Sequence, residues 1–220
     1  PSEPALGGAL VDALGVTDSL VRAAALDVLR ALRLGDAGLF AGFLADSDPA
    51  VRIEAVRALV SVDAADALAR AVADPSREVR VTVAKALGTV GATGAASEED
   101  GVLDALTVLV GDADVLVRGA AYEALAGVGC PPPLAEVAVA ALADPAWQVR
   151  VGAARALGAA GAAVAVPALA KSLADRNADV RKAAVLALTR HAGVEEARAA
   201  LATATADPDA DVRAYAARGL

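Results

Sequence analysis

The chain has 220 residues, of which 57% are hydrophobic but only 2% aromatic, so the apolar content is mostly Ala, Val and Leu. A net charge of −8 opposes general attraction to phosphate backbones, and a single cysteine, Cys130, excludes an intrachain disulfide. No run of 18 apolar residues is free of charge and no basic segment precedes an apolar one at the start, so neither a transmembrane helix nor a signal peptide is expected. The reading is cytoplasmic, with no membrane association. The start at Pro1, without methionine, is read as processing or excision from something longer. Small side chains pack well only where backbones approach closely, and Ala and Leu are strong helix formers, so composition points to an all-α fold.

A Val-Arg pair recurs seven times, with arginines at 22, 52, 80, 118, 150, 181 and 213 and successive spacings of 30, 28, 38, 32, 31 and 32 residues. Each arginine serves as a ruler. Leucine stands seven positions later in every repeat, and alanine three positions later in all but one, where Val83 replaces it. Apolar residues at −1, +3, +6 and +7 share one helical face. In chain order, the first repeat (about 3–33) places Leu10 and Leu14 on a first helix and Asp18 as cap of a second, but Val16 stands where later repeats carry a turn aspartate. The second (36–62) runs Phe40, Leu44, Asp46, Asp48, Arg52, Leu59. The third (63–90) runs Leu68, Val72, Asp74, Ser76, Arg80, Leu87. The 38-residue spacing then marks an insertion at Gly91–Gly101, read as a connector whose acids start the next helix.

The fourth repeat (100–129) carries Leu106, Val110, Asp112, Asp114, Arg118 and Leu125. After Gly129-Cys130, three prolines stiffen the linker, and Pro133 is expected to open the next helix. The fifth (133–161) carries Leu142, Asp144, Arg150 and Leu157, with Ala146 where the other repeats have a capping side chain. The sixth (165–192) carries Leu169, Leu173, Asp175, Asn177, Arg181 and Leu188. The seventh (194–220) carries Leu201, Asp207, Asp209, Arg213 and Leu220. Glycines such as Gly88, Gly127 and Gly158 are expected to end second helices. An Asp-containing turn, followed by proline at Pro75, Pro145 and Pro208, breaks the first helix and starts the second.

One such hairpin cannot bury its apolar face alone, but stacked neighbours can. The aromatic positions of TPR units and the Thr-Pro-Leu-His of ankyrin units are absent. The strings DPSREVRVTVAKALG from Asp74 and DPAWQVRVGAARALG from Asp144 resemble HEAT repeats, above all the short bacterial branch also found in phycobilin lyases. The resemblance implies a single right-handed α-solenoid of about seven hairpins over 1–220. It also implies a structural ladder in which each arginine bridges turn groups of its own and the adjacent repeat: Asp46, Arg52, Asp74, Arg80, Asp112, Arg118, Asp144, Arg150, Asp175, Arg181, Asp207 and Arg213. The second helices would line the concave side.

On that side, positions two and five after the ruler arginine are expected to point outward. They give a candidate partner-binding face of Glu54, Arg57, Lys85, Glu123, Arg155, Tyr215 and Arg218, with four cations among the seven fifth-position residues. No Walker, GxSxG or HExxH motif occurs, and one histidine makes no zinc site. The iron-binding His-Glu pairs of HEAT-like hydroxylases are also missing. We therefore expect no catalytic, metal or cofactor site, and a scaffold or adaptor for an unidentified protein partner. The alternatives are a non-catalytic module of a lyase-type or other enzyme assembly, for which the Ala-rich face offers no evident roomy groove, and nucleic-acid binding through a basic concave face, which net charge disfavours. Cys130 reads as a buried or loop thiol, His191 as a cap, and Trp147 as a turn residue packed on the adjacent repeat. Leu220 reads as an exposed apolar end, covered by further residues or by self-association.

Overall fold

An aspartate, serine or asparagine four residues before the ruler arginine turns its side chain back onto free amides of the helix that follows. Asp18 accepts from the Leu20 amide, Asp48 from Ala50, Ser76 from Val79, Asp114 from Leu116 and Val117, Asn177 from Asp179, and Asp209 from Asp211 and Val212. These caps satisfy amides that a helix start leaves without partners. The computed structural model describes residues 3–93 and 101–220, with side chains from residue 6 onward. Its described residues form fourteen α-helices and one 3-10 turn. In order these are α1 (Glu3–Ala13), α2 (Ser19–Ala31), α3 (Ala37–Gly42) with the 3-10 turn Phe43–Ala45, α4 (Pro49–Val60), α5 (Ala65–Ala69), α6 (Arg77–Ala92) and α7 (Val102–Val110). Then follow α8 (Val115–Val128), α9 (Pro132–Ala141), α10 (Trp147–Leu157), α11 (Ala162–Ser172), α12 (Ala178–Thr189), α13 (Glu195–Ala204) and α14 (Ala210–Arg218).

The chain divides into two compact units, Pro1–Val108 and Leu109–Leu220. In the first, α2, α4 and α6 stack side by side, with α1, α3 and α5 behind them. In the second, α8, α10, α12 and α14 stack in the same way, backed by α9, α11 and α13. The cores consist of the leucine column and the alanine and valine columns beside it. Leu29, Leu59, Leu87, Leu125, Leu157 and Leu188 are all buried. Truncating any of these leucines to alanine would cost about 2–5 kcal/mol.

α8 and α10 approach closely. A Cβ at Gly152 would lie 2.7 Å from the Gly119 carbonyl oxygen and 3.0 Å from Tyr122 Cβ. Two glycines on facing surfaces let these backbones meet.

Several local expectations are corrected. Gly88 and Gly127 do not end their helices. α6 continues to Ala92 because Val90, one turn on, is buried, and α8 continues to Val128, stopping at Gly129, whose φ of 116° only glycine adopts easily. Gly158 does cap α10. Pro132 rather than Pro133 opens α9, where its missing amide costs nothing. α2 and α4 are followed by non-glycine residues in left-handed conformation, Arg33 and Asp63.

Candidate partner-binding surface

The ruler arginines use their guanidinium groups in one repeated way. Nη1 donates to carbonyls of the arginine's own turn. Arg52 reaches Asp46 O at 2.8 Å, Arg80 reaches Asp74 O at 2.8 Å, Arg118 reaches Asp112 O at 2.9 Å, and Arg213 reaches Asp207 O at 2.7 Å. Nε and Nη2 form a fork onto the aspartate of the following turn: Arg22 onto Asp46, Arg52 onto Asp74, Arg150 onto Asp175, and Arg181 onto Asp207. Arg118 makes a single contact of 3.1 Å to Asp144. Each aspartate also accepts from the amide two residues on, as Asp46 does from Asp48 and Asp112 from Asp114. The arginine forks hold Asp46 and Asp207 below the usual carboxylate range. At Asp175 burial pushes upward, but the Arg150 fork, the Asn177 amide and nearby positive charge outweigh it, and the net shift is also downward. Most of these side chains are consumed by backbone and by each other, whereas Arg213 bonds only through Nη1 among the described residues, to Asp207 O and Pro208 O.

Outward-facing positions differ between the two columns. The fifth-position residues Asp27, Arg57, Lys85, Glu123, Arg155, Leu186 and Arg218 are all exposed. The second position departs from expectation. Glu54 and Tyr215 are half-buried, and Ala120, Gly152 and Ala183 are buried. Inside each stack a second helix is flanked by others, and the second position faces the preceding one, as the approach of Gly152 to Gly119 demonstrates. The cations of the fifth position are not all free. Arg57 pairs with Glu54 on its own helix, and Arg155 pairs with Glu123 across the α8–α10 seam. Lys85 and Arg218 have no carboxylate partner among the described residues. The face therefore alternates paired charge, single cations and the exposed Leu186.

Sequence reasoning missed two contacts at the ends of the second helices. Arg190, just after α12, donates through Nη1 to the Ala126 carbonyl at 3.3 Å. His191 Nε2 donates to the Leu157 carbonyl at 3.1 Å, so this histidine caps α10 of the preceding repeat rather than its own helix. Only the location of both residues past a helix end was visible in the sequence.

Cys130 is buried, and burial pushes its thiol up to about 11. Trp147, expected to pack against a neighbour, is instead 41% exposed. It is the first residue of α10, off the apolar stripe that begins at Val149. The insertion at 91–101 lies largely outside the described residues.

An open apolar groove of about 550 Å³ runs between α9 and α11, lined by Val139, Leu142, Val164 and Pro167, with Glu136 and Lys171 at its margins. It does not belong to the Ala-rich second-helix face. It lies between first helices, where small side chains and the mid-helix Pro167 leave space. Among the described residues there is no cluster of three or more metal-binding side chains, and no helix is long and apolar enough to cross a membrane.

The sequence profile of HEAT repeats matches residues 68–137 and 135–220, well over half of the chain. No curated protein sequence gives a match. Among solved structures, an engineered protein superposes with a TM-score of 0.63 at 23% identity, covering 97% of this chain and 67% of that one. A designed armadillo repeat protein in complex with the peptide (KR)4 gives 0.60 at 20% identity, covering 97% of each chain. The complex of CpcE and CpcF of phycocyanin lyase from Nostoc sp. PCC7120 gives 0.63 at 23% identity, covering 83% of this chain and 74% of that one. At such identities the likeness is one of fold, the all-helical armadillo and HEAT type of solenoid.

Proposed function

The chain belongs to the HEAT-repeat family, and from that premise we propose that it is a non-catalytic scaffold or adaptor whose second helices present an extended surface to a protein partner. The observation that carries this reading is the fifth-position column. In each repeat it is exposed beside positions that the core consumes, and it varies in character from repeat to repeat while the core and ladder columns hardly vary. A recognition surface on a repeat scaffold needs that division between constant interior and variable exterior. Arg218 and the exposed Leu186 of the second unit suit a partner that offers a carboxylate and an apolar side chain, and Lys85 of the first unit suits a carboxylate. Nucleic acid is a poorer fit, because Arg57 and Arg155 are already neutralised by Glu54 and Glu123.

The test compares the wild-type chain with the variant Lys85→Glu, Arg218→Glu. A partner retained by the wild type is identified, purified and titrated against both. The reading expects affinity to fall by at least about tenfold, roughly 1.4 kcal/mol, with the melting temperature unchanged. Equal affinity for both chains would contradict it.

The groove between α9 and α11 supports a second reading, a non-catalytic module of a lyase-type assembly that shelters an apolar group. Its volume of about 550 Å³ is within the range of small-molecule sites. Visible absorbance that copurifies with the chain and is lost in Ala168→Trp would favour it.

A further inference from the structure

At the ends of α2 and α4, two arginines stand where the repeat has none. Arg30 and Arg33 lie eight and eleven positions after Arg22. The same positions hold Val60 and Asp63 in the second repeat, and only glycine, alanine or threonine in the third to sixth. A ladder residue recurs from repeat to repeat, whereas this pair occurs once. Both arginines line a recess of about 420 Å³ whose other walls include Leu34, Phe40, Ser61 and Val62. That volume is within the range of small-molecule sites.

The loop that closes the recess is fixed by its own bonds. The Arg33 amide donates to Arg30 O at 3.1 Å, and the Leu34 amide to Leu29 O at 2.8 Å. Arg33 takes a φ of 55° and Gly35 one of 100°. A Cβ at Gly35 would lie 2.8 Å from Phe40 Cζ, so only glycine lets the loop lie against the ring. Left-handed backbone at a residue other than glycine is costly, and here it carries a cation into the lining of a recess.

The fold does not consume these guanidinium groups as it consumes the ladder. The last carbonyls of α2 are taken by loop amides, Val28 O by Leu32, Leu29 O by Leu34 and Arg30 O by Arg33. The exposed Arg33 side chain has no hydrogen bond or ion pair among the described residues. Arg30 is half used. Its Nη2 donates to Asp27, while its Nε is closed off from solvent without a partner. A buried donor left unpaired is a cost that a ligand removes by drawing the guanidinium onto itself. Ser61 gives its proton to the Ala58 carbonyl at 2.6 Å, so the arginines supply the charge of the recess.

We propose that this recess binds a small organic carboxylate with a compact apolar body. Arg30 and Arg33 take the carboxylate, and Leu34, Phe40 and Val62 take the body. Asp27 neutralises one of the two cations, and Asp36 and Asp63 adjoin lining residues in the chain. That balance suits a monoanion and works against a phosphate dianion. The site stands on residues of its own and not on the scaffold reading.

Isothermal titration calorimetry at pH 7 and low salt provides the test. The carboxylates are octanoate, 4-phenylbutyrate and a short acetylated peptide ending in leucine, with 4-phenylbutyramide and inorganic phosphate as comparisons. The proposal expects at least one carboxylate to bind with a dissociation constant below about 1 mM. Tighter binding of the peptide would assign the site to a polypeptide C-terminus, and tighter binding of the others to a free acid; either result supports the shared chemistry. Arg33→Gln and Arg30→Gln should each weaken binding at least about tenfold. Arg33→Gln should also leave the melting temperature unchanged, since its side chain holds nothing. Arg70→Gln, which removes an exposed cation of the same unit outside the recess, should bind as the wild type does. The proposal is overturned if none of the three carboxylates saturates, or if the amide or phosphate binds as tightly as the best of them. It is equally overturned if Arg33→Gln retains wild-type affinity, or if Arg70→Gln loses as much as Arg33→Gln.

Discussion

Replacing Arg150 by alanine removes four hydrogen bonds at once. The guanidinium holds Asp175 through Nε at 2.7 Å and Nη2 at 2.9 Å, and through Nη1 it holds Asp144 O at 2.9 Å and Pro145 O at 3.2 Å. The pair is well shielded, with side-chain exposures of 6% for Arg150 and 13% for Asp175. Breaking a buried ion pair from one side costs about 3–5 kcal/mol, because a charge is left without its partner. Asp175 would keep the Asn177 amide at 2.8 Å and would admit some water. The expected loss is therefore about 2–4 kcal/mol, at the lower part of that range. For a chain of this length each kcal/mol moves the melting temperature by about 2–4 °C, so Arg150→Ala should melt roughly 5–15 °C below wild type. Circular dichroism at pH 7 measures this directly. Arg150→Lys should recover little, since an ammonium group lacks the planar fork. A double-mutant cycle with Asp175→Asn should return a coupling of at least about 1 kcal/mol. An Arg150→Ala chain that melts within about 2 °C of wild type would refute the structural role assigned to the ladder.

Other expectations concern packing, titration and chemistry. Gly152→Ala should destabilise by about 1–3 kcal/mol despite the better helix propensity of alanine, because its Cβ would meet the Gly119 carbonyl; a stabilised variant in thermal melts would show that α8 and α10 can separate freely. Acid should destabilise the fold through Asp46, Asp175 and Asp207, whose folded-state pKa values are depressed. Their contribution is complete above the unfolded aspartate value of about 3.9 and is lost as pH falls through the folded values. Denaturant titrations should thus show stability flat near neutrality and falling below about pH 4, and no decline there would remove these carboxylates as stabilisers. Cys130, buried and with its thiol pushed up to about 11, should react with a disulfide reagent at pH 8 at least about a hundredfold more slowly than after unfolding. Rapid labelling of the folded chain would contradict that burial.

How much of this was legible in the sequence follows from which interactions repeat. The leucine column recurs at fixed distance from all seven arginines, and the turn aspartates and the capping residues from six each, so a single chain carries the same instruction many times over. The capping geometry at Asp18, Asp48 and Asp209 follows from it. What occurs once could not be read in that way. Arg33 and Asp63 adopt left-handed backbone without being glycine, and nothing in their neighbours announces it. The α8–α10 approach depends on Gly119 and Gly152, which occupy different positions in their respective repeats, +1 and +2, so no column aligns them. Trp147 was misplaced because its size suggested burial, whereas its position at the first turn of α10 decides for exposure. The pairing of Arg155 with Glu123 was hidden for a related reason. Both belong to the fifth-position column, and a column shows charge without showing which neighbour neutralises it.

The scaffold account is tested most directly by where a partner touches the chain. A photo-cross-linking side chain placed at Lys85 or at Leu186, on the fifth-position face, is compared with one at Lys171 beside the groove between first helices. The account predicts that the partner retained by the wild-type chain cross-links from positions 85 and 186 and not from 171. Cross-linking confined to position 171 would contradict it and transfer recognition to the opposite helices.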